Sequence, residues 1–267
     1  MIYSPKAYTL FLSGGDMKRD DLVAYLDGYL QVAAIEDRSN NGLQVEGVQD
    51  VHRVAFAVDA SLAAFEAAAG AGAQMLIVHH GLFWGEPILV TGPHRRRLGQ
   101  LFDAGMSLYA AHLPLDVHGE VGNNVTLARW LGLESVAPFG ELHGQFTGVL
   151  GSLPRALLLA DFAALVEEAL GEPVIRVWPF GPETVERVGI CSGAASSLLD
   201  RVAVEGVDVY LTGEMKHSAF HQAEELGLNV VYGGHYATET AGLKALAEHL
   251  ADRYEVETVF LDLPTGA

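Results

Sequence analysis

Two stretches of this 267-residue chain look like copies of one unit, and that duplication constrains the fold more than any other feature. The first runs VAFAVDASLAAFEAAAGAGAQMLIVHHG, passes through a helical segment and ends in LYAAHLPLD. The second runs VGICSGAASSLLDRVAVEGVDVYLTGE, passes through a helical segment and ends in VVYGGHYATE. Each reads strand, helix, strand, polar motif, helix, strand, and then a histidine followed four residues on by an acid: His112…Asp116 and His235…Glu239. Leu76 follows Val54 by 22 residues and Val209 follows Val188 by 21. Strands alternating with helices argue for an α/β fold with mostly parallel or mixed sheets. Two related lobes are expected, residues 17–130 and 131–267, preceded by an N-terminal extension over residues 1–16. Facing each other across a pseudo-twofold axis, the lobes would direct their strand ends into one cleft.

The polar motif of the first copy lies in Gln74–Glu86, QMLIVHHGLFWGE, where three apolar residues run into His79 and His80 and Gly81 ends the run. Adjacent residues on a regular strand point to opposite faces, so an isolated pair of this kind is one buried and one surface histidine. Both enter one pocket only where the strand breaks, and Gly81 permits a break. The carboxyl ends of strands in such sheets are where ligands sit. With two lobes sharing a cleft, four motifs converge there: His79-His80, His112…Asp116, Glu214 and His235…Glu239. A histidine and an acid four residues apart share a face if the segment begins a helix; Pro114 argues for a loop in the first copy. Imidazole with carboxylate suits zinc, iron, nickel and manganese. Three of these histidines with two of these carboxylates already exceed one catalytic zinc with an open position. They suit two metals about 3.5–4 Å apart with bridging carboxylates and water completing the shells. The competing reading is a set of unrelated polar loop residues.

The rest of the chain supplies context. Helices are expected over Leu62–Ala69, capped by Asp59 or Ser61, and over Arg95–Ala104, Thr126–Leu131, Asp161–Leu170 and Ala241–Ala251. Strands are expected over Gly144–Ser152, Val174–Trp178 and Glu257–Leu261, the last closing the second lobe. The formal charge of −18 repels a phosphate backbone and makes non-specific nucleic-acid binding an unfavourable reading. No segment has the length of a membrane span. The first sixteen residues lack a signal-peptide pattern, Met17 reads as an alternative start, and a cytoplasmic location is expected. The single cysteine, Cys191, lies in an apolar run and reads as a small buried side chain.

The motifs HHGLFWGEP, HLPLDVHGEVGNN, DVYLTGE and GGHYATE, with DRSNNGLQVEG near the start, resemble the dinuclear-metal-centre family of GTP cyclohydrolase I type 2 homologues, the Nif-three-like proteins. The resemblance runs from about Met17 to the end, without the insertion between lobes that some relatives carry. It implies two α/β lobes around a two-metal site and a toroidal homohexamer. It implies as metal ligands His79, His80, Asp116, His235 and Glu239; because a carboxylate can bind two ions at once, Asp116 and Glu239 read as the bridges. His112 then reads as a group that orients a ligand or moves a proton, and Glu214 as a general base on water or a hydrogen-bond partner of a ligand histidine. His221 matches the family pattern as a supporting or substrate-contacting residue. For these three a structural role weighs equally. His118 reads as structural; His94, His143, His217 and His249 read as surface or loop residues.

Two functions are consistent with this pattern. One is a hydrolase in which two divalent transition-metal ions activate water against a nucleotide-like small molecule, by resemblance the guanine ring of GTP. The other is a non-enzymatic metal carrier, insertase or scaffold. The surplus of acid–base groups favours the enzyme. The absence of a GxxxxGK[ST] phosphate loop, and a basic cluster limited to Arg95–Arg97, favour the carrier.

Overall fold

A computed structural model describes residues 17–142 and 145–266; the N-terminal extension and His143 lie outside the described residues. The chain builds two main sheets. The first has the order Glu257–Phe260, Arg53–Asp59, Met75–His80, Ser107–Ala110, Gly42–Val45, parallel except for the antiparallel last strand. The second has the order Glu134–Leu142, Gln145–Leu158, Thr184–Cys191, Val209–Thr212, Asn229–Tyr232, Arg176–Trp178; its three central strands are parallel and the others antiparallel.

The repeated unit read from the sequence corresponds to the three parallel strands at the heart of each sheet. Strand pairing refines its spacing: Val54 lies opposite Met75 and Val188 opposite Val209, 21 residues apart in both. The two sheets also share a detail. The Gln74 side chain accepts from the backbone N–H of His52 and Arg53, and the Asp208 side chain accepts from Glu186 and Arg187.

These strands are apolar over most of their paired length because both faces are covered there. Val54, Phe56, Val58, Met75 and Ile77 enter one core, and Ala55, Ala57, Leu76 and Val78 enter the opposite one. Val188, Ile190, Val209 and Leu211 divide from Cys191 and Tyr210 in the same way. Cys191 is buried as expected, and burial pushes its thiol up to about 12.

Several boundaries differ from the sequence expectation. The final helix is His235–Arg253, starting six residues before the expected Ala241. It bridges the two cores: Ala237 and Ala241 pack with the second sheet, and Leu243, Leu246 and Leu250 with the first. Each of these leucines contributes about 1.5–3 kcal/mol by burial. The last strand, expected to close the second lobe, instead pairs with Arg53–Asp59 in the first sheet. The strand Glu134–Leu142 was not expected; it is an outer strand, where Pro138 is tolerated. Pro114, expected to enforce a loop, sits in the first turn of a one-turn helix, Leu113–Asp116, where no intrahelical N–H is needed.

Candidate metal centre

The Met75–His80 strand delivers both histidines to the same place. His79 is fully buried and His80 ends the strand, and their ring centroids are 4.7 Å apart. Gly81 follows because a Cβ there would collide with the Gln44 side chain and with Ala110. The strand Ser107–Ala110 leads through Ala111 to His112, whose ring lies 5.0 Å from that of His79 and 5.6 Å from that of His80. From the other sheet, the first two turns of the final helix supply His235 and Glu239, with His235 Nε2 3.1 Å from Glu239 Oε1.

Four imidazoles share one arrangement: each is held at Nδ1 by an oxygen acceptor. His79 Nδ1 donates to the Ala111 carbonyl at 3.0 Å, and His80 Nδ1 to Asp59 at 2.9 Å. His112 Nδ1 donates to Asp37 at 3.0 Å, and His235 Nδ1 to Glu214 at 2.9 Å. Anchoring at Nδ1 assigns the lone pair to Nε2, as in histidines that bind metals. For three of them, Nε2 faces carboxylate oxygen. His79 Nε2 is 3.5 Å from both Asp116 Oδ2 and Glu239 Oε1, and His80 Nε2 is 3.3 Å from Glu239 Oε2.

The electrostatics follow from this packing. Burial alone would suppress the charge on His79, but the facing Asp116 and Glu239 carboxylates raise its pKa to about 9. The Glu239 hydrogen bond, working against burial, raises His235 to about 9 as well. Burial would raise Glu239, yet the surrounding imidazoles of His79, His235 and His80 hold it well below the usual carboxylate range.

Asp116 is oriented across the seam between the sheets. Its Oδ1 accepts from Asn123 Nδ2 and from Ser192 Oγ, both at 2.9 Å, leaving Oδ2 toward His79. Asn123 also accepts from the Gly242 N–H in the final helix, and Asn124 accepts from the Ser192 N–H. Gly193 makes room for Glu239: its φ is +63° and an added Cβ would overlap Oε1.

The donor set fits a metal. His79 Nε2 and Glu239 Oε2 are buried without a hydrogen-bond partner, a costly condition that coordination to a cation would relieve at each. Two ligands about 2.0–2.1 Å from one tetrahedral ion stand about 3.3 Å apart, which matches the 3.1–3.5 Å spacings of these atoms. Ligand atoms lying within 4.8 Å of one another define two groups, His79, His80 and His112, and His80, His235 and Glu239.

Of the residues singled out in the sequence, His79, His80, His112, Asp116, Glu214, His235 and Glu239 come together. Glu214 does so as the partner of His235. His221 does not join them; it is exposed and contacts Glu224 and the Phe220 ring. Sequence reasoning missed Asp37, Ser192 and Gly193 and the roles of Asp59, Asn123 and Asn124; Asp59, offered as a cap, holds His80, and Ser61 caps the helix. Asp37 lay inside the quoted DRSNNGLQVEG motif, and the two asparagines inside HGEVGNN, so the motifs carried a signal without a role.

Residues 17–266 match the family model Duf34/NIF3 (NGG1p interacting factor 3). A Deinococcus radiodurans protein named GTP cyclohydrolase 1 type 2 homolog is 44% identical over 266 residues, covering all of both chains. A Pyrococcus abyssi protein of the same name is 44% identical over 250 residues, 94% of this chain and all of its own. Among solved structures, TTHA1606 from Thermus thermophilus superposes with a TM-score of 0.87 at 48% identity, covering 94% of this chain and all of that one. Reduced HcgD from Methanocaldococcus jannaschii superposes with a TM-score of 0.81 at 28% identity over 94% of this chain and all of its own. With that agreement over nearly its whole length, the chain belongs to the Duf34/NIF3 family.

Proposed function

We propose that this protein binds two divalent transition-metal ions (zinc, iron, manganese or nickel) at the seam between its sheets and hydrolyses a nucleotide-like small molecule. One observation carries this reading: imidazoles anchored at Nδ1 present Nε2 to two carboxylates, with buried atoms on both sides lacking partners. Divalent ions held there supply the Lewis acidity that activates a water and polarises the bond under attack. The ligands are His79, His80, Asp116, His235 and Glu239. Glu239 turns one oxygen toward His79 and His235 and the other toward His80, so it would be the residue to bridge two ions. Asp59 and Glu214 fix ring orientation, and Asn123 and Ser192 fix Asp116. His112 stands beside the cluster as the group best placed to take a proton.

The name carried by the relatives makes GTP the first substrate to test. A homo-oligomer, by resemblance a toroidal hexamer, is part of the reading; exposed Val136 and Phe146 on the outer hairpin of the second sheet support an assembly contact. No helix among the described residues is long and apolar enough to cross a membrane, in keeping with a cytoplasmic setting.

One observation favours a metal carrier or scaffold instead. Of the three acid–base groups counted toward an enzyme, Glu214 is engaged with His235 and His221 is remote, leaving His112 alone. The decisive experiment is elemental analysis of the wild type beside Asp116→Ala and Glu239→Ala, followed by hydrolysis assays with GTP and other nucleotides. About two ions per chain, lost in both variants, with turnover, is the expected result. Two ions without turnover on any nucleotide favours the carrier, and unchanged metal in the variants overturns the ligand assignment.

A further inference from the structure

Resting on the reading of a metal site that takes a small nucleotide-like molecule, we infer that Trp84 is a substrate-contacting residue. Its indole stacks a planar heteroaromatic ring, and Arg38 beside it receives an anionic group of the same molecule.

The exposure of the site's side chains shows the side from which a molecule enters. His79, Glu239 and Asp116 are 0%, 5% and 12% exposed, whereas His80, His112 and His235 are 21%, 22% and 27% exposed. The open side is the one these last three imidazoles line. Trp84 meets two of them, with its ring centroid 5.0 Å from that of His112 and 6.1 Å from that of His80.

Trp84 is held firmly and yet is not used by the fold. Leu82 and Phe83 before it pack into a core of the first sheet, but half-buried Trp84 joins none of the hydrophobic cores. The indole Nε1–H donates to the Gly81 carbonyl at 2.9 Å, which fixes the ring. Asn40 staples the turn on both sides: its N–H donates to the Phe83 carbonyl at 3.0 Å and its Oδ1 accepts from the Gly85 N–H at 2.9 Å. The same segment holds His112 through Asp37 and Asn41, so indole and imidazole share one frame. The indole plane crosses those of His112 and His80 at 71° and 42°. Among the described residues no ring lies parallel to it and no cation stands over it. A rigid aromatic surface left out of the core loses little freedom on binding, and base–aromatic stacking needs such a surface.

Arg38 follows Asp37 in the chain, and its carbonyl lies 3.7 Å from where a Cβ on Gly85 would stand, which places it beside the Trp84 turn. It is exposed, and its guanidinium has no ion-pair partner among the described residues. In a chain of net charge −18 such a guanidinium is available to an anion, and its fork matches a phosphate.

The test is calorimetric titration of the zinc-loaded, full-length chain with guanosine 5′-monophosphate and with ribose 5-phosphate, alongside elemental analysis. Wild type is expected to bind the nucleotide more tightly by about 5–150-fold, the range for stacking one base. Trp84→Leu is expected to keep its zinc and its affinity for ribose 5-phosphate and to lose that advantage, while Trp84→Phe, with a smaller ring, keeps part of it. Arg38→Gln is expected to weaken both ligands. Equal affinities in the wild type, no binding of either ligand, or an advantage undiminished in Trp84→Leu would overturn the role of Trp84. If Trp84→Leu does not fold, a wild-type advantage in Trp84→Phe overturns it equally. Unchanged binding in Arg38→Gln overturns the anion contact. These failures with two zinc ions bound leave the metal reading standing. Fewer than two ions in the wild type removes the two-ion reading, and the ring argument is then decided by the same comparison of ligands.

Discussion

Gly193→Ala should empty the metal centre for a reason that can be separated from ordinary destabilisation. Gly193 has φ +63° and an added Cβ would overlap Glu239 Oε1. The left-handed conformation alone costs an alanine about 1–2 kcal/mol. In a chain of this size that lowers the unfolding temperature by roughly 2–4 °C per kcal/mol. The overlap is a second and different cost. The loop cannot easily retreat, because the Gly193 carbonyl accepts from Gly213 and Glu214 and its N–H donates to Thr238 Oγ1. The Glu239 carboxylate must therefore swing away from His79 and His235. Losing even a supporting partner of a ligand weakens metal binding by about 10–100-fold, and displacing the ligand itself should do at least that. Gly206→Ala is the control: its φ is +66° and nothing lies within 4 Å of the added Cβ. In the metal-free state Gly193→Ala should lose at least as many degrees as Gly206→Ala, measured by thermal melts. Only Gly193→Ala should lose metal, measured by elemental analysis after equilibration with zinc. Equal metal content in the two variants would refute the steric argument and the role of Glu239 with it.

Asn123→Ala should cost both stability and metal affinity. It leaves the buried Gly242 N–H without its 2.7 Å acceptor, worth about 1–3 kcal/mol, and removes one of the two donors holding Asp116 Oδ1; a melt lowered by only the expected few degrees with zinc affinity unchanged would separate Asn123 from the site. His249, expected at the surface, is stacked on Tyr29 at 4.2 Å and accepts from the Tyr25 hydroxyl at 2.5 Å. Burial, helped by Arg253, lowers its pKa, so the folded state prefers it neutral. Its contribution is fully present above the unfolded value of about 6.5 and is lost as pH falls through that value toward the lower folded one. The unfolding temperature of the metal-free protein should therefore fall more steeply between pH 7.5 and 5.5 in the wild type than in His249→Gln, and equal slopes would contradict this.

The ligand candidates were legible because each sits in a short motif at or just beyond a strand end. Their partners were not. Asp37 lies 75 residues from His112 and Asp59 lies 21 from His80, and no local pattern announces a pairing across such distances. His79 and His80 converge despite strand alternation because His80 is the last residue of its strand. The outer strand Glu134–Leu142 escaped notice because Pro138 interrupts its pattern, and an outer strand gives no run of apolar residues. The final strand was misplaced because the preceding helix was read too short. A 19-residue helix spans about 28 Å, enough to carry the chain from one sheet back to the other.

That long helix ties the chemistry to the architecture. Its first two turns present His235 and Glu239, its middle packs Ala241 against the second core, and its last turns pack Leu246 and Leu250 against the first. Asn123 reaches it at Gly242 and holds Asp116 with its other side-chain atom. The contacts that dock the two sheets are thus the contacts that set the separation of Glu239 from His79 and of Asp116 from Ser192. An ion bound between these groups stabilises the docked arrangement by mass action, by about 2.7 kcal/mol at a hundredfold excess over its dissociation constant. Without an ion, His79, whose pKa the facing Asp116 and Glu239 carboxylates raise to about 9, supplies a weaker attraction to Glu239 across the same seam. Metal binding at His79 Nε2 therefore competes with a proton for the same lone pair.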